Sequence, residues 1–226
     1  MKSLTAGILM TTIICFAGTS FAAKPKLVDN FDDGNDMSAL GGWWFTYNDS
    51  EDGGNSTVWP PEDKFKPIKT KDKPGYAARM YGTAGNKLGW DYFGMGVTLD
   101  NNAGCPKSAP MDLRKYSALQ FKIKGSIKGG RLTVIIPYID NRCKDNEPVT
   151  LTGWTDYEAS ITASVSNKWT TVKLDLRKDF SQPNWVKKKH KVSIEQVLKQ
   201  MHTIEWHYSS QDGESIDIWV DDIEFI

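Results

Sequence analysis

Residues 215–226 (SIDIWVDDIEFI) constrain the fold more than any other stretch of the chain. Ile216, Ile218 and Val220 alternate with Asp217, Trp219 and Asp221, the period-2 pattern of a strand with one face in an apolar core. Ile223 and Phe225 then lie an odd number of residues from Val220. Either a bulge interrupts the strand at Asp221-Asp222 or this end is buried on both faces. Two adjacent carboxylates at such a break are neutralised by a bound cation, or they stay solvated at a strand end.

Shorter runs of the same kind recur along the chain. Residues 27–31, 43–47, 76–81, 94–99, 118–124, 132–138, 157–161, 169–176 and 203–208 read as strands, punctuated by turn signals such as Gly129-Gly130, Ser166-Asn167 and Asp212-Gly213. One helix is expected over 194–201, where Ser193 and Gln196 form a capping-box pair and Ile194, Leu198 and Met201 share a face. Residues 48–55 (NDSEDGGN) have the composition of an Asx-rich turn. They are not an EF-hand loop, because Trp59 stands where the closing glutamate would be. Residues 60–74 form a lysine- and proline-rich loop without periodicity. The expected fold is all-β, a jelly-roll β-sandwich of about ten strands with one short helix.

The chain opens on Met1-Lys2-Ser3, continues through an apolar stretch to about Gly18 and reaches a small-x-small site at Ala22. Residues 1–22 therefore read as a secretory signal peptide, with 23–226 as a single domain exported by a bacterium. No later stretch approaches the roughly 18 apolar residues of a membrane span. Cys15 leaves with the leader, and Cys105 and Cys143 lie in loop-like sequence. One structural disulfide is expected between them, contributing about 4 kcal/mol. With 28 Lys and Arg against 28 Asp and Glu, the chain is neutral, which argues against nucleic acid as a partner.

Motifs of nucleophilic and metal-dependent chemistry are missing. The histidines are His190, His202 and His207, the last two read as surface residues, and there is no HExxH, GxSxG or phosphate-binding loop. Gly94-Met95-Gly96 reads as a strand-edge pair and not a dinucleotide fingerprint. Paired carboxylates for glycoside hydrolysis are the catalytic alternative: Asp217 and Asp221 alternate on one face, with Trp219 between them and Asp222 opposite. The chain carries 9 Trp, 8 Tyr and 9 Phe, and rings beside polar residues are the usual platform for the apolar face of a pyranose. Trp90 and Trp169 are expected in the core.

The segments LVDNFDDG, WWFTYND, LGWDYFGMGV, WTTVKLDL followed by RKDFSQPNW, TIEWHYSS and IDIWVDDIEF occur in that order. In sequence and spacing they resemble carbohydrate-binding module family 11 and its relatives in the galactose-binding-like jelly-roll superfamily, over nearly all of residues 23–226. The resemblance implies a non-catalytic domain that binds β-glucan along a concave sheet face. It places rings at Tyr47, Tyr92 and Tyr208 and polar partners at Arg177, Asp179 and Gln182. Trp154, Tyr157 and Trp185 join them because they flank the same strands. It also implies a structural calcium held by Asp32 and Asp221, tying the two chain ends together. Other secreted polysaccharide-degrading proteins are the expected companions. A second relative, the complex I intermediate-associated protein type, shares the fold and makes protein binding in assembly a further alternative.

Overall fold

The computed structural model of the chain describes residues 23–62, 64–99, 111–137, 139–144, 147–150 and 156–226, with backbone alone at 139–144 and 147–150. The expected signal peptide, Cys105, Trp154 and the side chain of Cys143 lie outside the described residues, and with them the expected disulfide.

Strands come in the order β1 (Lys26–Asp29), β2 (Trp44–Asn48), β3 (Thr57–Trp59), β4 (Ile68–Lys69), β5 (Tyr76–Thr83), β6 (Asp91–Thr98), β7 (Ala118–Lys128) and β8 (Arg131–Ile136). They continue with β9 (Ile139–Lys144), β10 (Glu147–Thr150), β11 (Tyr157–Ser160), β12 (Thr170–Asp175), β13 (Thr203–Ser210) and β14 (Ser215–Phe225). One sheet has the order β12-β7-β14-β5-β3, with β1 added to β14 and β4 to β5. The other has the order β11-β8-β13-β6-β2, and β9 pairs with β10. This is the all-β jelly-roll sandwich expected, with more strands than the sequence suggests. β3 and β4 are too short to show alternation, and the polar IDNRCK and EPVT of β9 and β10 lack an apolar face.

The helix α1 (Ile194–Lys199) starts where its capping box places it: Ser193 Oγ accepts from Gln196 N at 3.3 Å and Gln196 Oε1 from Ser193 N at 3.1 Å. Val197 and Leu198 bury its inner face.

Between the sheets, rings carry the core. Trp206 lies edge-on to Phe121 at 5.4 Å and stacked with Trp44 at 5.7 Å, so an indole from the five-stranded sheet touches both layers. At the chain start, Asp29 accepts from Phe31 N at 2.8 Å and from Trp44 Nε1 at 2.7 Å, which turns β1 into the core. Burial raises the Asp29 pKa against these two donors.

β14 is paired on both edges. Ser215 to Val220 run antiparallel to β5 and β7, with Ile216, Ile218 and Val220 inward. The register shifts between Asp221 and Glu224, with Asp222 at φ 48°, and beyond that bulge the strand pairs β1 in place of β5. Ile223 and Phe225 thereby return to the core, so the slip in the sequence is a bulge. First and last segments lie side by side, Lys26 opposite Phe225.

If the terminal strand closes the core, Phe225→Ala should cost about 3 to 5 kcal/mol in equilibrium urea unfolding, and exposed Leu27→Ala in the paired strand less than about 1 kcal/mol. Equal effects would contradict this arrangement.

Candidate functional site

The outer face of the five-stranded sheet is built from alternate residues of its strands. Three rows cross it: Phe45, Gly96, Glu205, Ile135 and Glu158; Tyr47, Gly94, His207 and Thr133; Tyr92, Ser209 and Arg131. The intervening residues, among them Trp44, Phe93, Trp206 and Tyr208, point into the core.

Glycines shape its floor. A Cβ at Gly94 would stand 2.4 Å from the Tyr47 ring, and one at Gly96 2.6 Å from Phe45, so both rings lie across β6 only because side chains are missing there. β6 is flanked by β13 and β2, so Gly94 and Gly96 sit mid-sheet and not at the edge expected for them.

On this floor Tyr47 Oη donates to Glu205 Oε2 at 3.0 Å and stands 2.9 Å from His207 Nδ1. The Tyr92 ring stacks on His207 with centroids 5.3 Å apart, and its Oη donates to Asp52 Oδ2 at 2.6 Å. The loop expected as an Asx-rich turn delivers Asp52. Within it Asp49, fully buried, accepts from Ser56 N, Ser56 Oγ and Tyr92 N at 2.6 to 3.0 Å, pinning the loop to β6. Asp91 accepts from Lys87 N and Leu88 N at 3.1 and 2.9 Å and folds the facing loop that carries Leu88 and Trp90.

A hollow of about 650 Å³ opens between these loops, floored by Tyr92, His207 and Ser209 and walled by Trp90 and Trp185. It continues into a second hollow of about 420 Å³ past Arg131 and Trp185 toward Glu158 and Gln182. The two indoles are 58% and 62% exposed, a large apolar surface to leave in water.

Of the residues expected here, Tyr47, Tyr92, Gln182 and Trp185 lie on or around this groove. Tyr208 does not: it is fully buried in the core, its Oη donating to Gly129 O at 3.2 Å. Tyr157 faces the core side of β11, with its Oη on Val192 O at 2.8 Å. The Arg177 guanidinium is engaged by Glu195 and by the carbonyls of Tyr116 and Arg114, and Asp179 accepts from Asp175 N, so both shape a loop outside the groove. Trp90 is a groove wall and not core, because the Asp91 turn throws it outward. Trp169 is half-buried outside the core, under the ammonium groups of Lys73 and Lys124. His207, read as a surface residue, stands at the groove floor, and His202 is buried. In TIEWHYSS the signal was available: Glu205, His207 and Ser209 alternate against Trp206 and Tyr208.

The carboxylates of the hydrolase alternative lie elsewhere. Asp217 is on the outer face of the other sheet, gripped by Arg79 at 2.7 and 3.0 Å. Asp221 is fully buried, its Oδ1 accepting from Asp222 N at 2.8 Å and its Oδ2 against the Lys73 ammonium. Asp32 lies in the adjoining loop, where its Oδ1 would be 3.2 Å from a Cβ on Gly75. Burial draws the Lys73 pKa down while the Asp222 carboxylate opposes the shift. Among the described residues no group of three or more His, Cys, Asp or Glu side chains surrounds Asp221, so loop carbonyls or water would have to complete the six to eight oxygens of a calcium site.

Desolvation raises Glu205 to about 7 and lowers His207 to about 4, so near neutral pH the imidazole is neutral and the carboxyl about half protonated. Between its ordinary value of 4.5 and about 7, Glu205 binds more proton folded than unfolded, so its contribution to stability falls as pH rises. His207 acts in reverse, losing stability as pH falls from 6.5 toward about 4. Glu205→Gln should therefore be more stable than the parent above about pH 7, by on the order of 1 to 2 kcal/mol for this partly exposed group, with the gap closing toward about pH 5. Thermal unfolding across that range checks it; a pH-independent gap would contradict the partly protonated carboxyl.

The family model described as "Carbohydrate binding domain 30" matches residues 29–226. Endoglucanase 3 of Fibrobacter succinogenes is 37% identical over 57 residues, which are 24% of this chain and only 9% of that enzyme's length. The family 11 carbohydrate-binding module of a cellulosomal cellulase of Clostridium thermocellum shares the fold with a TM-score of 0.56 at 17% identity, over 91% of this chain and 96% of that one. The family 11 module of that organism in complex with a β-1,3-1,4-mixed-linked tetrasaccharide gives 0.53 at 18% identity, over 89% and 95%. A crystal structure of a family 30 module gives 0.54 at 16% identity, over 90% and 99%. With the family match running from β1 to the last residue, this chain belongs to the carbohydrate binding domain 30 family and is a non-catalytic carbohydrate-binding module.

Proposed function

We propose that this module binds β-glucan in the groove of the five-stranded sheet. The observation that carries the reading is the pair of exposed indoles, Trp90 and Trp185, standing over a polar floor. Glucan rings bury their apolar faces on indoles while Asp52, Arg131, His207 and Ser209 bond the hydroxyls. With His207 neutral and Glu205 partly protonated near neutral pH, their cluster with Tyr47 suits a neutral ligand. The neighbouring fold that holds a mixed-linkage tetrasaccharide and the short match to an endoglucanase support this substrate class. Trp90→Ala and Trp185→Ala should each weaken retardation by barley glucan in affinity gels about tenfold or more, whereas Tyr208→Phe should bind normally and lose about 1 kcal/mol of stability. Full retention by the double tryptophan variant would refute the groove. Steady release of reducing sugar from the same glucan would instead favour a hydrolase.

The leader-like residues 1–22 and the endoglucanase match support export, in company with secreted enzymes that cleave the polysaccharide, and a Cys105 to Cys143 bridge fits that compartment. Among the described residues no helix is long and apolar enough to cross a membrane. A calcium ion held by Asp32 and Asp221 would tie the chain ends across the β1 and β14 pairing and displace the Lys73 ammonium from the buried carboxylate. Chelator should then lower the melting temperature of the parent but not of Asp221→Ala, and no change in the parent would end the metal reading.

A further inference from the structure

From Trp185 the chain runs WVKKKHK, and from 180 to 194 it contains four lysines and no acid, in a protein whose whole chain carries 28 charges of each sign. Lys187, Lys188, Lys189 and Lys191 are all exposed, and none has an ion-pair partner among the described residues. The nearest acids in sequence are engaged: Glu195 with Arg177 at 2.7 Å, and Asp179 with the amide of Asp175 at 2.7 Å. Four like charges this close repel one another, and the fold nonetheless holds them in place.

The segment is strapped down. Gln182 Oε1 accepts from Val192 N at 3.0 Å, its Nε2 donates to His190 O at 3.3 Å, and Tyr157 Oη donates to Val192 O at 2.8 Å. Gln182, Pro183, Asn184 and Trp185 line the groove, so the residues that fix the lysines also form its wall. Asp156, Glu158 and Arg131 face the same hollow, Glu158 paired with Arg131, so charges of both signs meet inside it while the exposed segment beyond Trp185 carries cations alone.

We propose that this lysine ledge binds the carboxylates of an acidic polysaccharide whose neutral stretch lies in the groove. The inference rests on the glucan reading for its register, and charge complementarity selects the anionic sugar. Exposed ammonium groups act at range and are screened by salt, so the ledge adds affinity at low ionic strength only.

Carboxymethyl cellulose and hydroxyethyl cellulose share a β-glucan backbone and differ in charge, so affinity electrophoresis against both is the test. The parent should prefer the carboxymethyl polymer about tenfold at low salt and lose the preference near 1 M salt. The variant carrying Lys187→Gln, Lys188→Gln, Lys189→Gln and Lys191→Gln should bind both polymers alike, with the hydroxyethyl polymer bound as by the parent. A preference that survives these substitutions, or one insensitive to salt, overturns the ledge. Tighter binding of phosphatidylglycerol vesicles or duplex DNA than of the carboxymethyl polymer overturns the assigned occupant. Failure of the parent to bind the hydroxyethyl polymer, with the carboxymethyl preference intact and lysine-dependent, removes the groove reading and leaves the ledge standing.

Discussion

β14 must find hydrogen-bond partners on both edges, because it lies inside a sheet where an unmet amide costs on the order of 1 to 3 kcal/mol. Two neighbours share one of those edges, β5 along the first half and β1 along the second. The exchange happens at the Asp221-Asp222 bulge, where one residue in a left-handed conformation reverses which side chains face inward. That reversal brings Phe225 into the core, joins the beginning of the domain to its end, and buries one carboxylate while the other meets Lys122 outside at 2.7 Å.

The grooved face of the second sheet follows from the same logic of local omission. Side chains missing at Gly94 and Gly96 let the rings of Tyr47 and Phe45 cross a central strand and make a low floor. Two loops rise beside it, each turned by one buried aspartate accepting backbone amides, Asp49 on one side and Asp91 on the other. Desolvation then reduces charge on the floor, since near neutral pH Glu205 keeps its proton in part and His207 is neutral. The result is a trough bordered by two exposed indoles, with Lys187, Lys188, Lys189 and Lys191 exposed past one rim.

Much of this was readable in the residues. The capping box placed the helix start, the alternation of 215–226 placed the last strand, and its slip marked the bulge. The NDSEDGGN turn was visible as well, since aspartate and glycine act there through bonds within a few residues. Tyr208 is expected on the ligand face and lies in the core, His207 is expected at the surface and lies on the groove floor, and Trp90 is expected in the core and forms a groove wall. Arg177 was read as a ligand group although its guanidinium anchors the chain beside α1. The Arg177 anchor depends on segments distant in sequence, which nothing adjacent reports, whereas the alternation of TIEWHYSS and the Asp91 turn are local signals for His207 and Trp90.

The chain by itself therefore determined where backbone bonds are made locally: caps, turns, the alternation of each long strand, and the membership of a sugar-binding family. Which of a strand's two faces becomes groove was settled by assembly. A period-2 pattern such as Glu205, Trp206, His207, Tyr208 offers polar aromatics to both sides, and only the opposing layer, by sealing Trp206 and Tyr208 from water, leaves His207 on the groove floor.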